Sequence, residues 1–117
     1  MDREDLRQRT KAFALRIVRL VAALPRNRVG DVLGRQVLKS GTSIGANYRE
    51  ALRASSKKHF ISTIRIVVRE ADETLYWLEL LAESQSVKPA RLADLVKECC
   101  ELVAIFSKTA QTARRRH

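Results

Sequence analysis

Residues 56–83 read SKKHFISTIRIVVREADETLYWLELLAE, and this stretch decides the fold class. Its apolar residues recur every three or four positions, which is the spacing of one face of an α-helix and not the alternation of a β-strand. Ser55 or Ser56 precedes the stretch and is a suitable N-cap, because a serine hydroxyl can accept a hydrogen bond from a backbone N–H group. The stretch therefore predicts a helix over about 56–83. Its expected core stripe is Phe60, Ile64, Val68, Ala71, Leu75, Leu78 and Ala82.

Three other stretches have the same periodicity and predict helices over about 5–24, 28–54 and 89–114. Pro25 ends the first of these, since the residue before a proline avoids the helical region, and Pro89 suits the first position of the last. The connecting segments are short, which favours neighbouring helices of opposite direction. The sequence predicts one all-α domain over 1–117, an antiparallel up-down-up-down four-helix bundle.

The chain has few of the features that catalysis, metal binding or membrane insertion require. No phosphate-binding glycine loop or nucleophile elbow is present, and neither His59 nor His117 has an obvious carboxylate or serine partner. Cys99 and Cys100 are adjacent, so they cannot form an ordinary disulfide, and we expect Cys99 to be a small core residue. No apolar run approaches the roughly 20 residues that span a bilayer. We expect a cytoplasmic protein that is not an enzyme and has no cofactor, no metal site and no membrane partner.

The charge of the chain is large and unevenly distributed. The formal net charge is +10, and residues 1–69 hold 16 Lys/Arg against 5 Asp/Glu, whereas residues 70–117 hold 7 against 8. Such asymmetry favours a polyanionic partner, with nucleic acid ahead of an anionic membrane. The alternative is a solvated surface that keeps the protein soluble.

Many of these cations lie on the second predicted helix, on the side opposite its core stripe. Arg35 and Arg53 are 18 residues apart, which is five helical turns, so they project in the same direction. Tyr48 is the only nearby candidate for stacking on a nucleobase, so we expect phosphate contacts with weak sequence selectivity. The predicted nucleic-acid-binding residues, including a flank of the first helix and the corner before the third, are Arg16, Arg19, Arg35, Lys39, Arg49, Arg53, Lys57 and Lys58.

The third helix has a second apolar face. Trp77, the only tryptophan, falls roughly opposite the predicted core stripe, and exposed aromatic clusters often mark a protein interface. We therefore predict homo-oligomerisation through this face; the alternative is that a loop or terminal segment covers it. The predicted interface residues are Ile66, Glu73, Tyr76, Trp77 and Leu80.

Polar and small residues on the second helix suggest further packing features. Asn47 and Glu50, with Ser43, lie near the edge of its core stripe, and we expect Asn47 and Glu50 to form a buried hydrogen-bonded pair that closes the bundle. Gly34, Gly41 and Gly45 share a lateral face. Because glycine costs about 1 kcal/mol relative to alanine in a helix, either a closely approaching helix or a local kink near 41–43 should compensate.

Three segments resemble one known family: SIGANYREA at 43–51, SKKHFI at 56–61 and EADETLYWLELL at 70–81. They are similar to the four-helix bundle family of 23S rRNA intervening-sequence proteins, also called the S23 family, with Gly45 and Ala51 where many relatives have proline and glycine. The resemblance implies a homopentamer with no assigned catalytic residues. It also relates the chain to accessory proteins of diversity-generating retroelements. The leading hypothesis is a basic homo-oligomeric bundle that binds nucleic acid, with RNA ahead of DNA, through backbone phosphates. The alternative is a scaffold or accessory subunit that recruits a protein such as a reverse transcriptase.

Overall fold

The computed structural model describes residues 1–115, which form four helices and no strand. The helices are α1 (Arg3–Ala22), α2 (Arg28–Leu52), α3 (Lys57–Glu83) and α4 (Pro89–Arg115). The described residues form a rod of 49 × 21 × 20 Å. His117, one of the two histidines considered above, lies outside the described residues. None of the described helices is both long enough and apolar enough to cross a membrane.

Side-chain caps fix where α1, α2 and α3 begin. Asp2 caps α1 by accepting a hydrogen bond of 2.8 Å from the backbone N–H of Asp5, whose own carboxylate accepts from the Asp2 backbone. This capping box starts α1 two residues before the predicted position. Asn27 caps α2 in the same manner at Gly30, and Ser56 caps α3.

α1 and α2 approach each other closely along the glycine face of α2. Gly41 faces Ile17 and Gly45 faces Thr10, so positions later in α2 meet positions earlier in α1. A Cβ atom at Gly41 would lie 2.9 Å from Cγ1 of Ile17, closer than van der Waals contact allows. Of the two explanations for these glycines, the structure therefore supports the close approach of a neighbouring helix.

All four helices contribute to one core, and α3 packs against both α2 and α4. α1 packs mainly on α2 and touches α4 sparsely. Because α2 and α4 both pack their apolar faces against α3, a wide part of the α3 surface is buried. The largest fully buried side chains include Phe13, Ile17, Ile44, Tyr48, Ile64, Leu78, Leu102 and Phe106.

The core stripe of α3 differs from the predicted one. Val68 and Leu75 are only half-buried, whereas Val67, Thr74 and Leu81 are almost completely buried. The observed stripe was not predicted because it includes Thr74, a polar residue that a search for apolar periodicity leaves out. In the structure its hydroxyl lies 2.7 Å from the Glu70 carbonyl, one turn earlier, so its burial leaves no unpaired donor.

The predicted buried pair of Asn47 and Glu50 is not formed. Glu50 is exposed, and the Asn47 side-chain amide donates to the Ser43 carbonyl of its own helix at 2.8 Å. The polar pair that does lie in the core joins α2 to α3 through the hydroxyls of Ser40 and Thr74, which are 2.8 Å apart. The expected partner was wrong because Glu50 lies just outside the buried face of α2.

Cys99 is a core residue, as expected, and Cys100 is exposed. The Cys99 thiol lies 3.2 Å from the backbone carbonyl oxygen of Ala71 on α3. Burial raises the pKa of Cys99 to about 12, so this thiol stays protonated at neutral pH. A protonated, enclosed thiol behaves as a small apolar side chain.

Candidate nucleic-acid interface

Four cations of α2 point away from the core. Arg35, Lys39, Arg49 and Arg53 are all exposed. Within residues 1–115, none of the four forms an ion pair with a carboxylate, since the salt bridges of this part involve Arg7 and Arg9. Their charges are therefore available to an external anion.

A groove between α1 and α2 brings cations of both helices together. It has a volume of about 430 Å³, and its floor is made of small residues, including Ala14, Gly45 and Ala46. Lys11 of α1 and Arg49 of α2 line its sides, together with Arg7. The groove follows from the fold, because the close contact of Gly45 with Thr10 leaves no large side chain to fill the surface above it. We call it the α1–α2 groove.

A second depression continues from the α1–α2 groove towards the end of α2. It has a volume of about 380 Å³ and shares Ala46 and Arg49 with the groove. Arg53 and His59 also line it, and the exposed Glu50 is the one carboxylate among its described lining residues. The two depressions thus adjoin each other at Ala46 and Arg49.

Two cations of this groove were missed by the sequence reasoning. Arg7 and Lys11 are one turn apart, and Ala14 follows at the next turn, so the three share one face of α1. That spacing was visible in the sequence, but the neighbouring helix was not. Arg7 is partly neutralised by Glu4, 3.0 Å away, whereas Lys11 is exposed and has no ion pair in the described part of the chain.

Arg16 and Arg19 lie elsewhere. They line a separate cavity of about 540 Å³ with Lys88 and Arg91, where α1 ends and α4 begins. Arg16 is two turns beyond Arg9, which lies on the α4 side of α1. The eight predicted binding residues therefore do not form one continuous face.

Lys57 and Lys58 occupy the first turn of α3, and both are exposed. This turn contains no acidic residue, although the N-terminus of a helix carries partial positive charge and usually favours Asp or Glu. Two lysines at such a position create a locally positive potential, and they oppose the stability of the helix that bears them.

Tyr48 is not available for base stacking. Its side chain is only 2% exposed, and its ring packs against Phe106 with 5.1 Å between the ring centroids. Tyr48 follows Ile44 by four residues and so belongs to the same buried stripe of α2. The suggestion that Tyr48 could stack on a nucleobase beside the cations is therefore wrong. Within residues 1–115, no three His, Cys, Asp or Glu residues come close enough to hold a metal ion.

The sequence matches the family model of the 23S rRNA-intervening sequence protein over residues 3–108. The chain belongs to this family. A solved structure of a protein of unknown function, from the S23 ribosomal protein family of Bacteroides thetaiotaomicron VPI-5482, is 34% identical to it and superimposes with a TM-score of 0.88. The match covers 95% of this chain and 99% of that one. No curated protein matches the chain significantly.

The second apolar face of α3 lies beside the core and not opposite it. Trp77 is half-buried and packs against the core, since Thr74 and Leu81, three residues before and four after it, are buried. Tyr76 is 54% exposed and contacts the Trp77 ring edge-on, with 5.1 Å between centroids. Of the other predicted interface residues, Ile66 and Leu80 are half-buried and Glu73 is exposed.

Proposed function

We propose that this member of the 23S rRNA-intervening sequence protein family is a non-enzymatic, basic, homo-oligomeric bundle of the cytoplasm. It binds nucleic acid, RNA in preference to DNA, through backbone phosphates. The observation that carries this proposal is the α1–α2 groove, which Lys11 of α1 and Arg49 of α2 line together with small residues. Exposed cations without carboxylate partners are the groups that phosphates bind.

The shape of the groove favours contacts to the backbone of a nucleic acid. Small floor residues such as Ala14 and Ala46 allow a sugar-phosphate chain to approach the cations on both sides. Among the described residues, no Phe, Tyr or Trp lines the groove or the adjoining depression, in which His59 is the one aromatic ring. Sequence-selective RNA binding usually needs stacking platforms and base-edge contacts, so the expected selectivity is weak. The preference for RNA rests on the family and not on the groove.

Several features support the antiparallel arrangement and the homo-oligomer, for which a pentamer is expected from the family. The pairing of Gly41 with Ile17 and Gly45 with Thr10 has the order of antiparallel helices. Large apolar side chains that are about half exposed suggest a covered surface in the assembly. They are Leu15, Val18, Val29, Val32 and Tyr76. A ring would repeat the groove in each subunit and strengthen binding through multivalency.

Charge reversal tests the role of the basic surface. Arg35, Arg49 and Arg53 are replaced together by glutamate, and RNA affinity is measured by fluorescence anisotropy. We expect a loss of about 100-fold, from three contacts of about 1 kcal/mol each. The matched control replaces Arg65, Arg69 and Lys97, exposed cations of α3 and α4, and changes the net charge equally. If both variants lose affinity alike, or the first binds as well as the wild type, the surface of α2 is not the binding site.

A second candidate function is a scaffold that recruits a protein partner such as a reverse transcriptase. The exposed Tyr76 beside Trp77 favours it, because aromatic residues are enriched in protein interfaces. Co-purification of a stoichiometric protein, without nucleic-acid absorbance, would support this function over the first.

A further inference from the structure

A cavity of about 700 Å³ opens at the end of the bundle where α1 and α3 begin and α2 and α4 end. Its volume lies within the range of about 300–1,000 Å³ that is usual for small-molecule sites. Apolar side chains dominate its lining, among them Leu6, Phe60 and Ile105. We call it the end cavity. It is separate from the α1–α2 groove and has no residue in common with it.

Three cations surround the apolar lining of the end cavity. Arg3, Lys57 and Lys108 come from three different helices, and no Asp or Glu is among the lining residues. Within the described part of the chain, none of the three forms an ion pair. The Arg3 guanidinium lies over the Phe60 ring, 5.8 Å from its centroid, which keeps this charge at the apolar surface. The cavity is therefore complementary to an anion with an apolar body.

Tyr48 supplies a polar group within the cavity. The residue is 2% exposed and lines the cavity, and its hydroxyl has no hydrogen-bond partner within residues 1–115. Every buried side-chain N or O atom of these residues is hydrogen-bonded, so the hydroxyl must reach the cavity surface. Burial raises the pKa of Tyr48, which keeps the hydroxyl protonated and able to donate.

The lining distinguishes between classes of ligand. A nucleobase has several hydrogen-bond donors and acceptors, and a site that binds it specifically must supply a hydrogen-bonding group for each of them. In the end cavity, the Thr109 hydroxyl already donates to the Ile105 carbonyl at 2.9 Å, and aliphatic side chains such as Leu6 cover much of the rest. An aliphatic chain needs no such partners, and burying it is favourable in itself.

We propose that the end cavity binds an amphipathic anion, an aliphatic chain that ends in one carboxylate. The chain lies against Leu6 and Ile105, and the carboxylate lies among the cations, where it accepts a hydrogen bond from the Tyr48 hydroxyl. This site does not depend on the proposed nucleic-acid function, since Lys108 and Tyr48 lie outside the α1–α2 groove.

Calorimetric titration of the full chain with decanoate, below its micelle-forming concentration, tests the site. We expect saturable binding with one ligand per subunit and a dissociation constant of roughly 0.1–1 mM, as for a ligand of fragment size. Decanol, which has the same chain without the charge, should bind about 10-fold more weakly or worse.

Three variants locate the bound decanoate. Lys108→Glu should weaken binding by about 10-fold or more, because it replaces an attraction by a repulsion. Lys97→Glu makes the same change of charge at an exposed position of α4 outside the cavity, and should bind like the wild type. Tyr48→Phe keeps the packing on Phe106 and removes the hydroxyl, and should weaken binding by about 3- to 10-fold.

The proposal is overturned if decanoate shows no saturable binding, if decanol binds equally well, or if the two lysine variants behave alike. Tighter binding of adenosine monophosphate, with displacement of decanoate, would also overturn it and indicate a nucleotide site. The assay contains no RNA, and Lys108→Glu should retain wild-type RNA affinity, so failure of this site and failure of the proposed nucleic-acid function are distinguishable.

Discussion

At Gly41, a hydrogen atom in place of a side chain lets α2 lie directly against Ile17 of α1. The propensity cost of glycine in a helix is offset by this packing. Gly41→Val should lower the free energy of unfolding by about 1–3 kcal/mol, because the added atoms overpack the contact. Denaturant titration at one fixed protein concentration measures the change.

The control for Gly41 is Ala46→Val, an exposed position on the same helix. Helix propensity alone predicts that valine is slightly better than glycine and worse than alanine, by a few tenths of a kcal/mol in each direction. The packing contact at Gly41 predicts the opposite ranking: Gly41→Val should lower the free energy of unfolding by more than Ala46→Val does. A Gly41→Val variant as stable as the wild type would show that the close approach is not tight.

Arg9 provides the charged link between α1 and α4, which otherwise make few contacts. Its guanidinium donates to the Glu98 carboxylate at 2.7 Å and to Glu101 at 2.8 Å, and these hydrogen bonds raise its pKa further above the ordinary value. Arg9→Met should lower the free energy of unfolding by about 1–3 kcal/mol, since Glu98 is then left half-buried without a partner.

The same substitution at Arg7 serves as the control for Arg9. Arg7 pairs with Glu4 on one exposed turn of α1, and such pairs contribute about 0.3–0.5 kcal/mol. Equal losses from Arg9→Met and Arg7→Met, measured by denaturant titration, would contradict the view that Arg9 holds α1 on α4.

At the scale of elements, the first turn of α3 combines two lysines with the positive end of a helix. Replacing Lys57 and Lys58 by glutamate should raise the free energy of unfolding by about 0.3–1 kcal/mol for each residue. The same double variant should bind RNA more weakly. Lys97→Glu, at an exposed position away from both ends of α4, should give no such gain in stability.

Stability and RNA affinity therefore change in opposite directions for the lysine variant. Denaturant titration and anisotropy on one preparation measure both. If the variant loses stability, the lysines have a structural role; if its RNA affinity is unchanged, this corner lies outside the interface.

The helices themselves were predictable from the sequence because each has a clear three-to-four spacing and an end marked by a cap or a proline. The α3 stripe was less predictable. Thr74 is buried because its hydroxyl bonds within the helix and to Ser40 of α2, and a periodicity of apolar residues does not include it. The prediction for Tyr48 was also wrong. Its hydroxyl made it a candidate for the surface, whereas its ring is buried in the core.

At the scale of the whole molecule, the basic surface divides into parts that no single helix could reveal. Lys11 and Arg49 line one groove because α1 packs against the glycine face of α2. Arg16 and Arg19 were expected to extend the basic face of α2, but they line a cavity where α1 ends and α4 begins. A helical pattern shows which residues share one helix face, whereas the partner of that face depends on the packing of all the helices.

The proposed assembly depends on the aromatic face of α3. Tyr76→Glu and Trp77→Glu should each give monomers in light scattering, because a carboxylate would be buried without a partner in the interface. Trp77 also packs on the core, so its variant could lose stability for that reason; Tyr76, which is 54% exposed, separates the two effects. Wild-type assembly in both variants would place the interface elsewhere.

The salt dependence of RNA affinity tests the central claim most directly. Anisotropy titrations of the wild-type protein with structured RNA, duplex DNA and heparin are made from low to near-physiological salt. Contacts to several phosphates predict that log K falls linearly with log salt, by about 0.7–0.9 per phosphate contacted. The proposal predicts a steep slope, RNA binding that persists at physiological salt, and a preference for RNA over heparin. Binding that disappears with salt, or is equal for heparin, would contradict it and leave the charge as a nonspecific attraction.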